Sequence, residues 1–529
     1  MPLAPDLGNA RAPLTMGQLL CAFAYASDIA FGLQLEDCLR SCYLAVRLAR
    51  AMELPEEQCA VTYYTALLKD AGCTSWTTEL AHAWQTDEIV ARRELVIFGN
   101  PNSMSAFATW MRRFVAKDRS VFEKLSRYFS VLTASRGFFA DGFATTAAVA
   151  QRIAMRLGMP DGVQTAVLNV FERWDGRGAP NGLRGTQIPR VSRVVQPTFF
   201  LVPAHRVGGR DAAVQLARTL RGQACDPAVI DAFLRLASEA SFWADLESRD
   251  IQAEVLAREP ASTLAPMGEE KIDDAAYAFA DFIDLKSRYA AAHSRRVGAV
   301  AEQLARLMGC SAVAVEQIRR AGLMHDLGLV AIPSYTLERP WGELSTAEQD
   351  AYRLHPYHGE QVLKRVPALA PLVEMVGTHH ERVDGSGYYR GLTSTNISLG
   401  ARIIAVADRL DELTHETPGS PALSIAEALN QLDREPLDPE IVAALRRCLG
   451  ERAAGTIPRQ REQPAGLTDR EVEVLRFAAG GITRREIGRQ LAISENTVRH
   501  HLEHIYNKTG TANRVSATLF AMEHGLLAD

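Results

Sequence analysis

Thirteen histidines are spread unevenly through this chain of 529 residues, and the unevenness has a chemical meaning. Residues 271–450 hold His293, His325, His355, His358, His379, His380 and His415, whereas the first 270 residues hold only His82 and His205. Imidazoles gathered near carboxylates form ligand sets for divalent metals, and nitrogen-rich ligation with carboxylate bridges suits Fe or Mn better than Mg alone. An adjacent pair such as His325–Asp326 can serve two ions at once, the carboxylate between them and the imidazole on one side. Two ions about 3.5–4 Å apart clamp an in-line phosphoryl displacement and activate water between them.

These side chains must be delivered by helices. AAAHSRRVGAVAEQLARLM has the period of an amphipathic helix with His293 near its start, and IRRAGLMHDLGLVAIP that of an apolar helix ending in His325–Asp326. His379–His380 closes another helix, the glycine-rich HHERVDGSGYYRG follows, and Asp408 sits on the apolar ISLGARIIAVADRLDEL. His355 lies between them in LHPYHGEQVL. From Asp273 to Leu413 these strings resemble the HD-GYP branch of the HD phosphohydrolase superfamily. The resemblance implies a helical bundle that hydrolyses cyclic dinucleotides, mainly cyclic di-GMP. It also implies metal ligation by His293, His325, Asp326, His355, His379, His380 and Asp408, with Asp326 and His325 at the catalytic step. Tyr289 stands where three-metal members have a carboxylate, so two divalent ions, Fe or Mn, are expected. His358 falls outside the motif and is expected at the surface. Leu329 replaces the family's lysine, and Gly387-Tyr388-Tyr389 replaces its GYP, losing the fixed φ of proline. Both changes leave the ligands intact and bear on turnover.

The C-terminal stretch asks for different chemistry. Apolar residues fall at helical spacing at Val472, Leu475, Phe477 and Ala478, then Ile487 and Leu491, then Val498, Leu502, Ile505 and Tyr506. Thr468 with Glu471, and Thr483 with Glu486, are capping boxes; Ser494 caps a third helix, and Gly480-Gly481 and Thr509-Gly510 end the first and third. A short helix, a tight turn and a longer helix make a helix-turn-helix, which lays its second element in the major groove. Six basic residues face three glutamates between Ala479 and Arg514. Arg484, Arg485, Arg489, Lys508 and Arg514 fit the phosphate-facing side, and Thr497, Arg499 and His500 fit base reading. The whole module, Leu467 to Asp529, resembles the LuxR/GerE-type DNA-binding domain. That resemblance implies four helices, the fourth from Arg514 to His524 commonly supplying a dimer contact, and double-stranded DNA as the partner.

The chain also repeats itself. Ala22–Asp28 matches Ala278–Asp284 at an offset of 256, and at the same offset Lys69–Asp70 meets His325–Asp326. Phe171–Pro189 parallels His380–Ser398 at an offset of 209, so the first copy carries about 47 extra residues between these blocks. Where the second copy has His293, His325, His379, His380 and Asp408, the first has Asp37, Lys69, Val170, Phe171 and Phe199; only Asp70 survives. Apolar side chains would fill the metal cavity and Lys69 would pair with Asp70. This half resembles a degenerate HD domain, sensory or supporting in role.

The length suits three domains. A net charge of −5 confines any DNA affinity to the C-terminus, and the 47% apolar and 23% charged residues are ordinary for a globular protein. No run approaches ~20 apolar residues, so no membrane span is expected, and the N-terminus lacks the pattern of a signal peptide. The eight cysteines show no CxxC spacing and suit buried, reduced thiols in a cytoplasmic protein. Polar, proline-containing linkers are expected at 256–270 and 451–465, the second letting the DNA module reorient. The expected fold is all-α: a degenerate HD-like bundle over 14–255, an HD-GYP-like bundle over 271–450, and a four-helix LuxR-type domain over 466–529. The expected function is a homodimeric transcriptional regulator coupled to a cyclic-dinucleotide phosphohydrolase. The alternatives are a nucleotide-responsive DNA-binding switch without turnover, or a phosphohydrolase of another nucleotide.

Overall fold

Apolar periodicity becomes helix along the chain. The computed structural model describes residues 14–84, 86–97, 104–114, 121–260, 267–453, 463–511 and 513–527, and among them there are helices and short 3-10 turns but no β-strand. The first copy holds α1 (Met16–Phe31), α2 (Asp37–Ala51), α3 (Glu56–Leu68), α4 (Thr77–Trp84), α5 (Glu88–Ile97), α6 (Met104–Phe114), α7 (Val121–Arg156), α8 (Asp161–Leu168), α9 (Arg190–Val195), α10 (Thr198–Leu220), α11 (Pro227–Leu236), α12 (Ala240–Leu246) and α13 (Ile251–Leu256). The second holds α14 (Glu269–Asp284), α15 (His293–Leu307), α16 (Ala312–Met324), α17 (Ser334–Leu337), α18 (Thr346–Arg353), α19 (His355–Leu363), α20 (Ala370–Thr378), α21 (Leu399–Thr414), α22 (Ile425–Leu432) and α23 (Pro439–Ala453). The C-terminal module is α24 (Asp469–Ala479), α25 (Arg484–Gln490), α26 (Glu495–Thr509) and α27 (Arg514–Glu523). None of these helices is long and apolar enough to cross a membrane.

The repeat in sequence is a repeat in space. Phe23 of α1 stacks on Phe279 of α14, its own counterpart, with ring centroids 4.0 Å apart and planes at 17°. A residue that meets its own equivalent marks a two-fold axis, here a local one inside a single chain. Local details repeat as well. Asp28 accepts the backbone N–H of Cys38 at 3.0 Å, and Asp284 accepts both the N–H and the hydroxyl of Ser294, which fills the equivalent place. Glu36 and Ala292, also equivalent, both take positive φ as α2 and α15 begin. One continuous apolar core runs through both copies.

The stretch expected to link the copies is partly built into the structure. Glu259 is buried, and its carboxylate accepts from Gly17 N at 2.7 Å and from the Thr15 hydroxyl at 2.8 Å, fixing the start of α1. Most of the second expected linker, 454–462, lies outside the described residues.

The C-terminal module has its own core of Val472, Leu475, Ile487, Val498, Leu502, Ile505 and Phe520, and the three expected caps at Thr468, Thr483 and Ser494 all form. It is docked on the rest of the chain. Leu519 and Met522 of α27 join the large core, Glu523 pairs with Arg152 (2.5 Å) and Arg156 (3.3 Å) of α7, and Arg514 pairs with Glu79 of α4 (2.8 Å).

Candidate metal centre and DNA-binding surface

Helix ends converge to form the site. α15 starts at His293 and α19 at His355, His325 caps the end of α16, His379 caps the end of α20, and Asp408 projects from within α21. A 3-10 turn, Leu327–Ala331, carries the chain away from Asp326 and lies against the start of α19. Gly328 allows that approach, since a Cβ there would meet the His355 carbonyl oxygen at 1.8 Å.

Asp326 sits between two sets of imidazoles. Its Oδ2 faces His293 Nε2 (3.4 Å) and His325 Nε2 (3.5 Å), and its Oδ1 faces His355 Nε2 (3.3 Å) and His379 Nε2 (3.8 Å). Asp408 Oδ1 lies 3.4 Å from His293 Nε2 and 3.5 Å from His325 Nε2. Ligand atoms of His293, His325 and Asp326, and separately of Asp326, His355, His379 and His380, lie within 4.8 Å of one another. All seven residues expected at the centre are therefore brought together. His358 is half-buried rather than exposed and belongs to neither group, and His415 also stands apart, its Nδ1 near the Asp411 carbonyl at 3.0 Å.

The donor set fits divalent ions. The backbone carbonyls of Gly322, Tyr352 and Val376 accept from Nδ1 of His325, His355 and His379 at 2.7–2.8 Å, which turns each Nε2 inward. His355 and His379 then hold two such nitrogens 3.2 Å apart, an arrangement that a shared cation relieves. His293 Nδ1 is held by Asp411 at 2.7 Å, and Arg296 grips that carboxylate at 2.6 Å and 2.9 Å. This carboxylate–histidine pairing orients the ring and raises its basicity.

The electrostatics separate the two groups of histidines. Burial pushes His379 down to about 4, and burial together with His379 and His355 pushes His380 down, so both are neutral near pH 7. Burial works against charge on His293 and His325 too, but hydrogen bonds and charge from Asp326, Asp408 and, for His293, Asp411 hold both above the usual imidazole range. Burial likewise opposes ionisation of Asp326 and Asp408, and the surrounding histidines nevertheless keep both well below the usual carboxylate range.

Several contributors were not anticipated from sequence. Asp411 and Arg296 stand three positions after Asp408 and His293 on the same helices, a spacing that shares a face and could have found them. Tyr388 stacks on His380 at 4.7 Å. Tyr389, in the place of the missing proline, donates its hydroxyl to Glu360 at 2.6 Å, and Arg390 joins the same carboxylate. The loop is also held from within, because Glu381 accepts from Arg390 N and Leu392 N at 2.7 and 2.8 Å. Glu172 does the same for Asn181 N and Leu183 N in the first copy.

The first copy keeps that loop without the ligands. Lys69 and Asp70 form a fully buried ion pair, Lys69 Nζ lies 4.2 Å over the Phe199 ring, and Phe171 packs 5.1 Å from Phe199. Val170 is buried, and Asp37 pairs with Arg206 at 2.8 Å. All eight cysteines are unpaired, six of them buried.

On the DNA module, Arg484, Arg485, Arg499 and His500 are exposed on α25 and α26. Thr497 is half-buried, its hydroxyl 2.8 Å from that of Ser494. Lys508 instead pairs with Glu471 of its own module at 2.7 Å.

Residues 278–441 match the family model "HD domain", and residues 465–521 match "Bacterial regulatory proteins, luxR family". The chain carries an HD domain and a LuxR-type regulatory domain. It is 28% identical over 437 residues to 3′3′-cGAMP-specific phosphodiesterase 3 of Vibrio cholerae serotype O1, covering 82% of this chain and 94% of that protein. A match of that length extends well beyond the HD domain and so includes much of the first copy. It is 36% identical over 157 residues to a cyclic di-GMP phosphodiesterase of Thermotoga maritima, covering 29% of this chain and 42% of that one. The crystal structure of a V. cholerae cyclic GMP-AMP-specific phosphodiesterase superposes with a TM-score of 0.58 at 25% identity, covering 83% of this chain and 98% of that one.

Proposed function

We propose that the HD domain hydrolyses a phosphodiester bond of a cyclic dinucleotide at a two-ion centre, and that the LuxR-type domain binds duplex DNA, making the chain a nucleotide-linked transcriptional regulator of the cytoplasm. The observation that carries the proposal is Asp326, with one oxygen toward each histidine group. His293, His325 and Asp408 would hold one ion, His355, His379 and His380 the other, and Asp326 both. Iron or manganese suits this donor set. When bound, the ions would polarise phosphoryl oxygens and lower the pKa of water. His325 and Asp326, fixed by Gly322 O and the surrounding imidazoles, keep the donor geometry from relaxing between turnovers. Arg484, Arg485 and Lys508 would contact phosphates, and Thr497, Arg499 and His500 base edges; two chains would suit a roughly palindromic site. For Lys508 this requires release from Glu471.

The second reading, a switch that binds nucleotide without turnover, is favoured by Leu329, which packs its side chain against the core and supplies no cation. Protein loaded with Mn²⁺ or Fe²⁺ and incubated with cyclic di-GMP, 3′3′-cGAMP and a generic phosphodiester tests both. The expected result is a linear dinucleotide product, with the rate falling about 100-fold or more in Asp326→Asn. Bound metals with no hydrolysis of any of the three would favour the switch.

A further inference from the structure

Between the HD domain and the DNA module lies a cleft of about 660 Å³. Small-molecule sites span roughly 300–1,000 Å³. Four guanidinium groups border this one: Arg288 and Arg296 from the HD domain, Arg476 and Arg489 from the module, against the carboxylates of Glu416 and Glu486. Tyr289 adds a half-buried ring to the wall. The HD-side cations are held in place. Glu338 holds Arg288 Nε at 2.9 Å, and Arg296 is fixed by Asp411 and the Ala291 carbonyl. On the other wall Arg476 donates through Nε to the Leu526 carbonyl at 2.6 Å, and Arg489 is 71% exposed with Glu486 no nearer than 3.7 Å. The walls meet closely at Gly481, whose φ is +73° and where a Cβ would lie 3.1 Å from the Arg288 side chain.

We infer that this cleft binds a small phosphate-bearing molecule, a nucleotide by chemical class, and that the bound molecule ties the DNA module to the HD domain. Planar guanidinium forks match phosphate oxygens in pairs, and an aromatic face beside them suits a base. Each wall supplies half of the cations, so the complete site exists only while the module is docked. Arg489 also belongs to the side of the module that would face duplex phosphates. Nucleotide in the cleft and duplex on the module therefore oppose one another, and the opposition is reciprocal. The site lies one relay from the metal centre, through Arg296, Asp411 and His293, but does not depend on hydrolysis there.

The test uses the full chain as it stands, since GMP is a phosphomonoester with no phosphodiester bond for the HD domain to hydrolyse. GMP titrated by calorimetry should bind, and Arg288→Glu and Arg489→Glu, one from each wall and both at exposed side chains, should each weaken it about tenfold or more. Inorganic phosphate should compete with GMP, and a fluorescent nonspecific duplex should bind more weakly in saturating GMP. No binding at millimolar GMP, or equal affinity in the parent and both charge-reversal variants, overturns the site. Duplex affinity indifferent to GMP overturns the tie between the domains.

Discussion

A carboxylate that offers one oxygen to each of two histidine groups has no amide substitute, because asparagine presents one oxygen and one donor. Asp326→Asn should therefore strip metal from both groups, whereas His355→Ala should empty mainly one; metal analysis after gel filtration checks both. Metal uptake is also a proton exchange. His379 and His380 are neutral and ready, but His293 and His325 hold protons above the usual imidazole range and must release them to ligate. Affinity should thus fall as pH falls, and calorimetry in buffers of different ionisation heat should detect protons released at pH 7; uptake without release would contradict this. In the first copy, Lys69→Met leaves Asp70 buried and unpaired and should cost about 3–5 kcal/mol, most of it regained by adding Asp70→Asn; denaturant unfolding measures both. The seven candidate ligands and the Lys69–Asp70 pair are legible in sequence because order and repeat register survive there. Asp411 and Arg296 are marked only by their three-residue spacing from Asp408 and His293, and Glu360 is not marked at all, because polar residues on a helix look alike until a neighbouring helix shows which face is covered.

At the scale of elements, α4 and α7 of the first copy have a use that their composition does not announce. Glu79, Thr145, Arg152 and Arg156 all come from α4 and α7, and all of them touch α27 or its cap, Asn513. These two helices of the first copy are the platform on which the DNA module rests. The module's own helices and caps are legible because each is set locally, by a threonine or serine and a glutamate or glycine. Its docking is not, since Arg514 and Glu523 read as a solvated face. These ion pairs are partly exposed and worth about 1 kcal/mol or less each. Glu523→Lys should loosen the module, raise the radius of gyration in small-angle scattering and strengthen binding of a nonspecific duplex by freeing Arg514 from a competing arrangement. Moderate salt should produce the same expansion in the parent chain; an unchanged scattering profile in both would count against a dissociable platform.

At the scale of the molecule, one chain holds two copies of a helical repeat, one of them an HD domain, and a single ligand set among its described residues. Metal analysis should therefore find about two ions per chain rather than four. The all-α architecture and the order of its parts are legible from periodicity and internal repetition. The way the copies face each other is not, because Phe23 and Phe279 read only as core. Their stacking has a further consequence. Two identical bundles in separate chains would part on dilution and would have to change together in evolution, since every substitution would appear on both sides of the axis. Joined in one polypeptide, the pair stays assembled at any concentration, and one half is released from the ligand set that the other retains. Specific activity should then be flat down to nanomolar protein, the behaviour of a partner that cannot leave.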